Sequence, residues 1–300
     1  MKLYSLHLFL LASLVPAVHS FVPAPTGHPS LPSFSRLGLF NFGGGGGGGG
    51  TASIPASTDA RDKAAIESCK KAIDRPRNTN CPLIELEFPV LAALNKLGDG
   101  SLRSAMEAED ANLAFVGKLA RGISSPFNLL GASSSVSIVL SSSASNSFRA
   151  KAEKVAKGSS RVVSASSPTL AEDVGNGGTC IFVSPASRSD YTAAQQLARS
   201  GSVRAVVVVN AFAKDPRSVP GDATMAYFLK PLTYNSQIAG YLIRSYPSDW
   251  SVLDATSKAV LGTFSDQEIL VPKTNTPDLR ASGRMVQKSV DERAIAARNR

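Results

Sequence analysis

Histidine, the side chain that most often acts as a catalytic base near neutral pH, occurs only at the start of this chain. The 300-residue sequence has three histidines, His7, His19 and His28. If these residues are removed as part of a leader, the remaining protein contains no imidazole. A Ser-His-Asp triad, a Cys-His pair and a histidine metal site are then excluded.

Cysteine is equally sparse, and the three residues Cys69, Cys81 and Cys180 are far apart in the sequence. They form no CxxC pair, so neither a zinc site nor a disulfide scaffold is predicted, and a reducing compartment is favoured. Cys69 and Cys180 lie in apolar segments and are expected in the core. Cys81 follows Arg75 and Arg77, whose charges would favour a thiolate, so a redox role is the alternative to a structural one.

Polar residues that follow apolar strands are the candidates for binding a ligand. Ser184 follows the run CIFV, Asn210 ends four consecutive valines, and Asp215 comes shortly after. Ligands of open α/β sheets bind beyond the carboxyl ends of the strands. For Asn210 the alternative is a side chain that bonds its own loop backbone. Arg244 is a candidate for binding an anion, and Trp250 is either a core anchor or, if exposed, a contact for a partner protein.

Sequence motifs for cofactors are missing. The chain contains no GxGxxG after a predicted strand and no GxxxxGK[ST] anywhere. The octaglycine Gly43–Gly50 has no preceding strand and no following Lys-Ser/Thr, and it is interpreted as a flexible linker. The sequence therefore predicts no cofactor and no metal site.

The elements that must position these residues alternate along the chain. The spacing of apolar residues predicts helices over 59–73, 101–121, 146–157 and from a cap at Ser189 to Gly201. Strands are predicted over 83–88, 136–140, 180–185 and 205–212. A continuous apolar run such as 205–212 is typical of a parallel strand buried on both faces.

This alternation predicts an α/β fold with a single, mainly parallel sheet flanked by helices, in a Rossmann-like arrangement. The segments MAYFLKPL and AGYLIRSYP predict an antiparallel hairpin appended to it. The expected organisation is a signal peptide over 1–20, a transit-peptide-like and Gly-rich linker over 21–58, the α/β domain over 59–275 and a basic tail over 276–300.

The leader predicts a destination. Lys2 precedes an apolar run over Leu8–Val18, and a cut after Ser20 would leave Phe21 as the new terminus. This run is shorter than the ~20 residues that a transmembrane helix needs, so no membrane span is expected in the mature chain. The segment after Phe21 is rich in Pro and Ser and free of acid until Asp59, which is typical of transit peptides. We expect targeting to the plastid, either stromal or thylakoid-associated, with secretion as the alternative.

The formal net charge is +9, and the stretch from Arg280 to Arg300 has six basic residues and two acidic ones. An excess of positive charge favours contact with acidic surfaces. No aromatic residue accompanies these bases, so a stacking platform for single strands is missing. Nucleic acid is not an expected partner.

Three segments carry a family resemblance: ELEFP at Glu85–Pro89, the valine run ending at Asn210, and Tyr246-Pro247 with Trp250. From about residue 60 to 275 the chain resembles a domain of unknown function found in cyanobacteria and plastids. This domain is shared with the Low PSII Accumulation 3 protein and with the C-terminal region of a plastid adenylate kinase. The resemblance implies a plastid accessory protein, with photosystem II assembly as the best-described role, and it supplies no catalytic residues.

The sequence therefore favours a non-catalytic accessory protein that acts through protein contacts, with photosystem subunits or assembly factors as partners. The alternative is an α/β enzyme or regulatory domain that binds a nucleotide or a phosphorylated metabolite at the strand ends. Fold class and positive charge alone support that alternative.

Overall fold

The computed structural model describes residues 52–75, 83–89, 105–124, 135–157, 160–211, 223–270 and 276–299. These residues form seven helices and nine strands. In chain order they are α1 (Thr58–Ile73), β1 (Leu83–Glu87), α2 (Ala105–Ile123), β2 (Val136–Leu140), α3 (Asn146–Ala156), β3 (Ser160–Ser164), α4 (Leu170–Val174), β4 (Thr179–Val183), α5 (Arg188–Ser200), β5 (Ala205–Val209), β6 (Thr224–Tyr234), β7 (Gln237–Ser245), β8 (Trp250–Asp254), β9 (Val260–Phe264), α6 (Asp266–Leu270) and α7 (Leu279–Arg298).

All nine strands belong to one sheet, in the order β3-β2-β4-β5-β1-β6-β7-β8-β9. The six strands from β3 to β6 run parallel to their neighbours, whereas β6, β7, β8 and β9 pair antiparallel. The expected α/β fold with a mainly parallel sheet and an appended hairpin is confirmed. The hairpin of β6 and β7 is extended by two further strands, so the antiparallel part is larger than predicted.

The central strand β5 shows why the parallel half has two covered faces. Val207 packs in one apolar cluster with residues of α1, α2 and α3, whereas Val206 and Val208 pack on the opposite face against α5. All five residues of β5 are buried. The continuous valine run therefore reflects burial on both faces, as expected for a central parallel strand.

The start of α5 differs from the prediction by two residues. Ser187, not Ser189, is the N-cap, because Ser187 accepts a hydrogen bond from the backbone N–H of Asp190. The Asp190 carboxylate in turn accepts from the backbone N–H of Ser187, which completes a capping box. A cap at Ser189 would place Thr192 at the reciprocal position, and threonine lacks the carboxylate that this box uses.

The basic tail contributes a helix to the antiparallel half. Helix α7 packs its buried Val286 against β7 at Gly240. A Cβ atom at Gly240 would lie 2.5 Å from a methyl group of Val286, so only glycine allows the helix to approach this closely. The tail therefore adds a covering layer to the sheet.

A buried carboxylate fixes the middle of α7. Asp254, at the end of β8, accepts hydrogen bonds from the side chains of Arg293 and Ser289 and from the backbone of Thr256 and Ser257. Burial alone would raise the pKa of Asp254. The hydrogen bonds, with that of Arg293 foremost, outweigh burial and hold the pKa well below its ordinary value.

We expect Asp254→Asn to lower the free energy of unfolding by about 1–3 kcal/mol at neutral pH, because the Arg293 pair is lost. The folded state depresses the pKa of Asp254, so its contribution is fully present above the unfolded value of about 3.9 and is lost progressively as the pH falls from there through the lower pKa of the folded state. Urea denaturation between pH 7 and pH 3 should therefore show a smaller loss of stability on acidification in this variant than in the parent.

The matched control is Asp291→Asn, because Asp291 is exposed and accepts a bond from the Tyr234 hydroxyl at 3.1 Å. This change should cost less than Asp254→Asn. Equal costs for the two variants, or identical pH slopes for Asp254→Asn and the parent, would contradict the role given to Asp254.

Candidate functional site

The parallel half of the sheet has a topological switch point between β2 and β4. From β2 the chain passes through α3 to β3 on one side, whereas from β4 it passes through α5 to β5 on the other side. The loops after β2 and β4 therefore diverge at the carboxyl ends of these strands. Open α/β sheets bind their ligands in such a crevice, often with an anion at the start of a helix.

In this protein a carboxylate of the chain itself accepts the hydrogen bonds of the donors in that crevice. Asp190 is buried in the first turn of α5. Its oxygens accept from the Ser141 hydroxyl at 2.7 Å, the Ser142 backbone N–H at 3.0 Å and the Ser187 backbone N–H at 3.2 Å. Burial raises the pKa of Asp190, but the hydrogen bonds lower it by more, so the pKa lies below its ordinary value. The group is therefore an ionised carboxylate at neutral pH.

Two of the sequence-predicted residues, Ser184 and Asn210, meet beside this crevice. Asn112 donates from Nδ2 to Ser184 Oγ at 2.5 Å, and Asn210 donates from Nδ2 to Asn112 Oδ1 at 2.7 Å. The Oδ1 atom of Asn210 accepts from the backbone N–H of Phe88 at 2.8 Å. We call Asn112, Ser184 and Asn210 the amide chain, and all three side chains are buried.

The amide chain joins the carboxyl ends of β1, β4 and β5 to α2. Ser184 and Asn210 both adopt positive φ angles, 46° and 48°, where the chain turns out of β4 and β5. The side chain of Asn210 reaches the end of the neighbouring strand β1, where it bonds the backbone of Phe88. Neither amides nor a hydroxyl titrate near neutral pH, so the amide chain positions the strands and does not transfer protons.

Asn112 is the member of the amide chain that sequence reasoning missed. It lies on the apolar face of α2, where its neighbours Leu113 and Val116 belong to the main core cluster. The signal that identifies it is a single asparagine at a core position of an amphipathic helix. A buried amide is retained only where its hydrogen bonds are satisfied.

Two other predicted residues, Arg244 and Trp250, meet in the antiparallel half. Arg244 donates from Nη2 to Asp266 Oδ2 at 2.6 Å, and Trp250 donates from Nε1 to Asp266 Oδ1 at 3.1 Å. The guanidinium lies 5.8 Å from the ring centre of Trp250 and 5.9 Å from that of Tyr246. We call Arg244, Tyr246, Trp250 and Asp266 the Arg244 cluster.

The members of the Arg244 cluster differ in exposure. Arg244 is 2% exposed and Trp250 is fully buried, whereas the side chain of Asp266 is 52% exposed. Trp250 also packs against Phe228 at 5.2 Å between ring centres. Trp250 is therefore a core anchor of this half of the sheet in the structure, and Asp266 is the member that faces solvent.

The Arg244 guanidinium is also incompletely paired. Among the described residues, the buried side-chain atoms without a hydrogen-bond partner are Nε and Nη1 of Arg244 and the hydroxyl of Thr179. Arginine stays protonated in proteins, so its N–H groups are permanent donors. An unsatisfied buried donor costs about 1–3 kcal/mol, and more when it is charged.

The remaining candidates are Asp215 and the three cysteines. Asp215 and Cys81 lie outside the described residues. Cys69 and Cys180 are buried and form no disulfide, and burial raises the pKa of Cys69 far above its usual range.

Neither a metal-ligand cluster nor a helix able to cross a membrane occurs among the described residues. Three or more His, Cys, Asp or Glu side chains do not come together there in a way that could hold a metal ion. None of the helices in this part of the chain has the length and apolar character needed to cross a bilayer.

Comparison with known proteins identifies a family. Residues 61–267 match a family model described as Domain of unknown function (DUF1995). This segment runs from α1 into α6, so it contains Asp190, the amide chain and the Arg244 cluster. No curated protein and no solved structure matches the chain.

Proposed function

This chain belongs to the family of the domain of unknown function DUF1995, and from this premise we propose that it is a non-catalytic plastid accessory protein. It acts by binding other proteins, with photosystem subunits or assembly factors as its partners. The plastid assignment is supported by the acid-free leader that follows Phe21. The photosystem assignment is supported by the resemblance to the Low PSII Accumulation 3 protein.

The observation that carries the proposal is the position of Asp190. Its carboxylate uses the donors of Ser141, Ser142 and Ser187 that a bound phosphate would need. A phosphate monoester carries a charge of about −1.5 to −2 at pH 7, so it would meet a like charge in contact with it. The geometry therefore disfavours the alternative of a nucleotide or phosphometabolite site at this edge.

The carboxylate of Glu85, in strand β1, also pairs with a residue of α5. The Tyr191 hydroxyl donates to Glu85 Oε1 at 2.5 Å in the buried face below α5. Burial, together with the nearby negative charge of Glu85, raises the pKa of Tyr191 far above its usual range. The phenol is therefore a fixed donor, and the pair suits a structural role better than proton transfer.

The proposal is tested by deleting the gene and following photosystem assembly. We expect blue-native gels of thylakoid membranes to show less assembled photosystem II in the deletion strain than in the parent, and the full chain to restore it. A variant that lacks residues 21–42 serves as the matched control, because it keeps the predicted signal peptide and the domain but lacks the transit-like segment and has no Phe after Ser20.

The control should fail to restore assembly, and immunoblots of purified plastids should contain the full chain but not the control. Unchanged photosystem assembly in the deletion strain would contradict the proposed role. Recovery of the full chain from the medium rather than from plastids would contradict the location.

We also predict that nucleotides and sugar phosphates do not raise the melting temperature of the parent protein, because Asp190 occupies the donors they would need. Asp190→Ser should remove the competing charge and free the N–H groups of Ser142 and Ser187. Inorganic phosphate should then stabilise this variant in a concentration-dependent manner, as expected for a ligand that binds only the folded state.

The matched control for this thermal-shift experiment is Asp173→Ser. Asp173 accepts from the hydroxyls of Ser167 and Thr169 near the end of β3, away from the switch point. Phosphate should leave its melting temperature unchanged. Stabilisation of the parent protein by any phosphate compound, with loss of that effect in Asp190→Ser, would reverse the assignment.

A further inference from the structure

The guanidinium of Arg244 has more hydrogen-bonding capacity than the described residues use. Its carboxylate partner is Asp266, and that contact involves Nη2. Nε and Nη1 are buried and have no acceptor among the described residues. Buried donors of native proteins are nearly always paired, with protein, water or a ligand. Two unpaired nitrogens on one charged side chain, with three N–H bonds between them, therefore indicate an acceptor that the described residues do not supply.

The geometry of arginine defines what that acceptor must be. Nη2 carries two hydrogens, and Asp266 takes one of them. The other hydrogen is parallel either to Nε–H or to an Nη1 hydrogen, and both of these groups are free. One complete two-donor edge of the guanidinium is thus left, and such an edge matches the two oxygens of a carboxylate or a phosphate.

Charge separates these two ligands. Arg244 has one positive charge, and Asp266 already balances it. A carboxylate adds one negative charge to the cluster, whereas a phosphate monoester adds about 1.5 to 2 at pH 7. In a buried site each uncompensated charge is costly, so the monoanion is favoured. The aromatic rings of Tyr246 and Trp250 lie near the guanidinium, with ring centres 5.9 and 5.8 Å from it.

We propose that Arg244 binds the carboxylate of a ligand, which enters from the side of Asp266. Asp266 is the half-exposed member of the cluster, whereas Arg244 and Trp250 are buried. Movement of the Asp266 side chain therefore opens the route to the guanidinium. The ligand is a small organic acid or an acidic side chain of a peptide, since both present the same group. The inference concerns one binding site, and it stands whether or not the partner is a photosystem protein.

The test follows the Nε–H signal of Arg244 by NMR in the ¹⁵N-labelled full chain, assigned with Arg244→Lys. The probes are acetate, a short peptide with one glutamate and blocked termini, inorganic phosphate and chloride, all at matched ionic strength. We expect a saturable shift with acetate or the peptide and none with chloride. Tighter binding of the peptide identifies a protein source, and equal or tighter binding of acetate identifies a small acid.

Two variants change the affinity in opposite directions. Arg244→Lys keeps the charge but removes the two-donor edge, so carboxylate binding, followed through the backbone signals of neighbouring residues, should weaken roughly tenfold or more. Asp266→Asn removes the competing charge, so binding should tighten. Arg204→Lys is the matched control, because Arg204 is an exposed arginine paired with Asp74 at 2.7 Å. It should leave the affinity unchanged.

Three results would overturn the inference. The first is the absence of a saturable shift at Arg244 with either carboxylate. The second is tighter binding of phosphate than of both carboxylates. The third is weaker binding in Asp266→Asn, which would make Asp266 part of the binding surface rather than a competing group. If Arg244→Lys fails to fold, the gain of affinity expected for Asp266→Asn still tests the proposal.

Discussion

The need to pair buried polar groups is the constraint that determines this structure. Helices cover both faces of the parallel half, so polar side chains at the carboxyl ends of its strands cannot reach water and must pair with each other. Asn112 joins Ser184 to Asn210, and Asp190 collects the donors of the switch point. The edge at which many α/β proteins hold a phosphate is therefore closed by the protein's own groups.

The antiparallel half meets the same constraint incompletely. The register of β6 and β7 places Arg244 opposite Phe228, next to the buried ring of Trp250. Asp266, from the first turn of α6, bonds both side chains, yet two nitrogens of Arg244 have no partner among the described residues. Among the described residues, the parallel half leaves one buried hydroxyl unpaired, that of Thr179, whereas the antiparallel half holds a buried cation with two unpaired nitrogens. This difference supports a protein that binds through its antiparallel half.

Local patterns in the sequence predict much of the fold. The valine run of β5, the hairpin of β6 and β7 and the apolar spacing of α1 all have the predicted character, because burial on one or two faces leaves a periodic signal. Edge strand β3 was missed because its exposed positions interrupt the apolar run, and α7 was hidden by its high content of basic residues. The strand order was also beyond prediction, since no local pattern places β1 between β5 and β6. The candidate residues were found individually, but their partners Asn112 and Asp266 depend on long-range packing and register.

Our proposal is that the β2–β4 crevice does not bind anions and that the Arg244 cluster binds a carboxylate. A crystal structure of the full chain, soaked with acetate and phosphate together, tests both halves of it. We expect acetate to be bound at the guanidinium of Arg244, and we expect Asp190 to remain bonded to Ser141 and Ser142. Phosphate bound at Ser142 with Asp190 turned away, and Arg244 fully paired with protein acceptors, would contradict it.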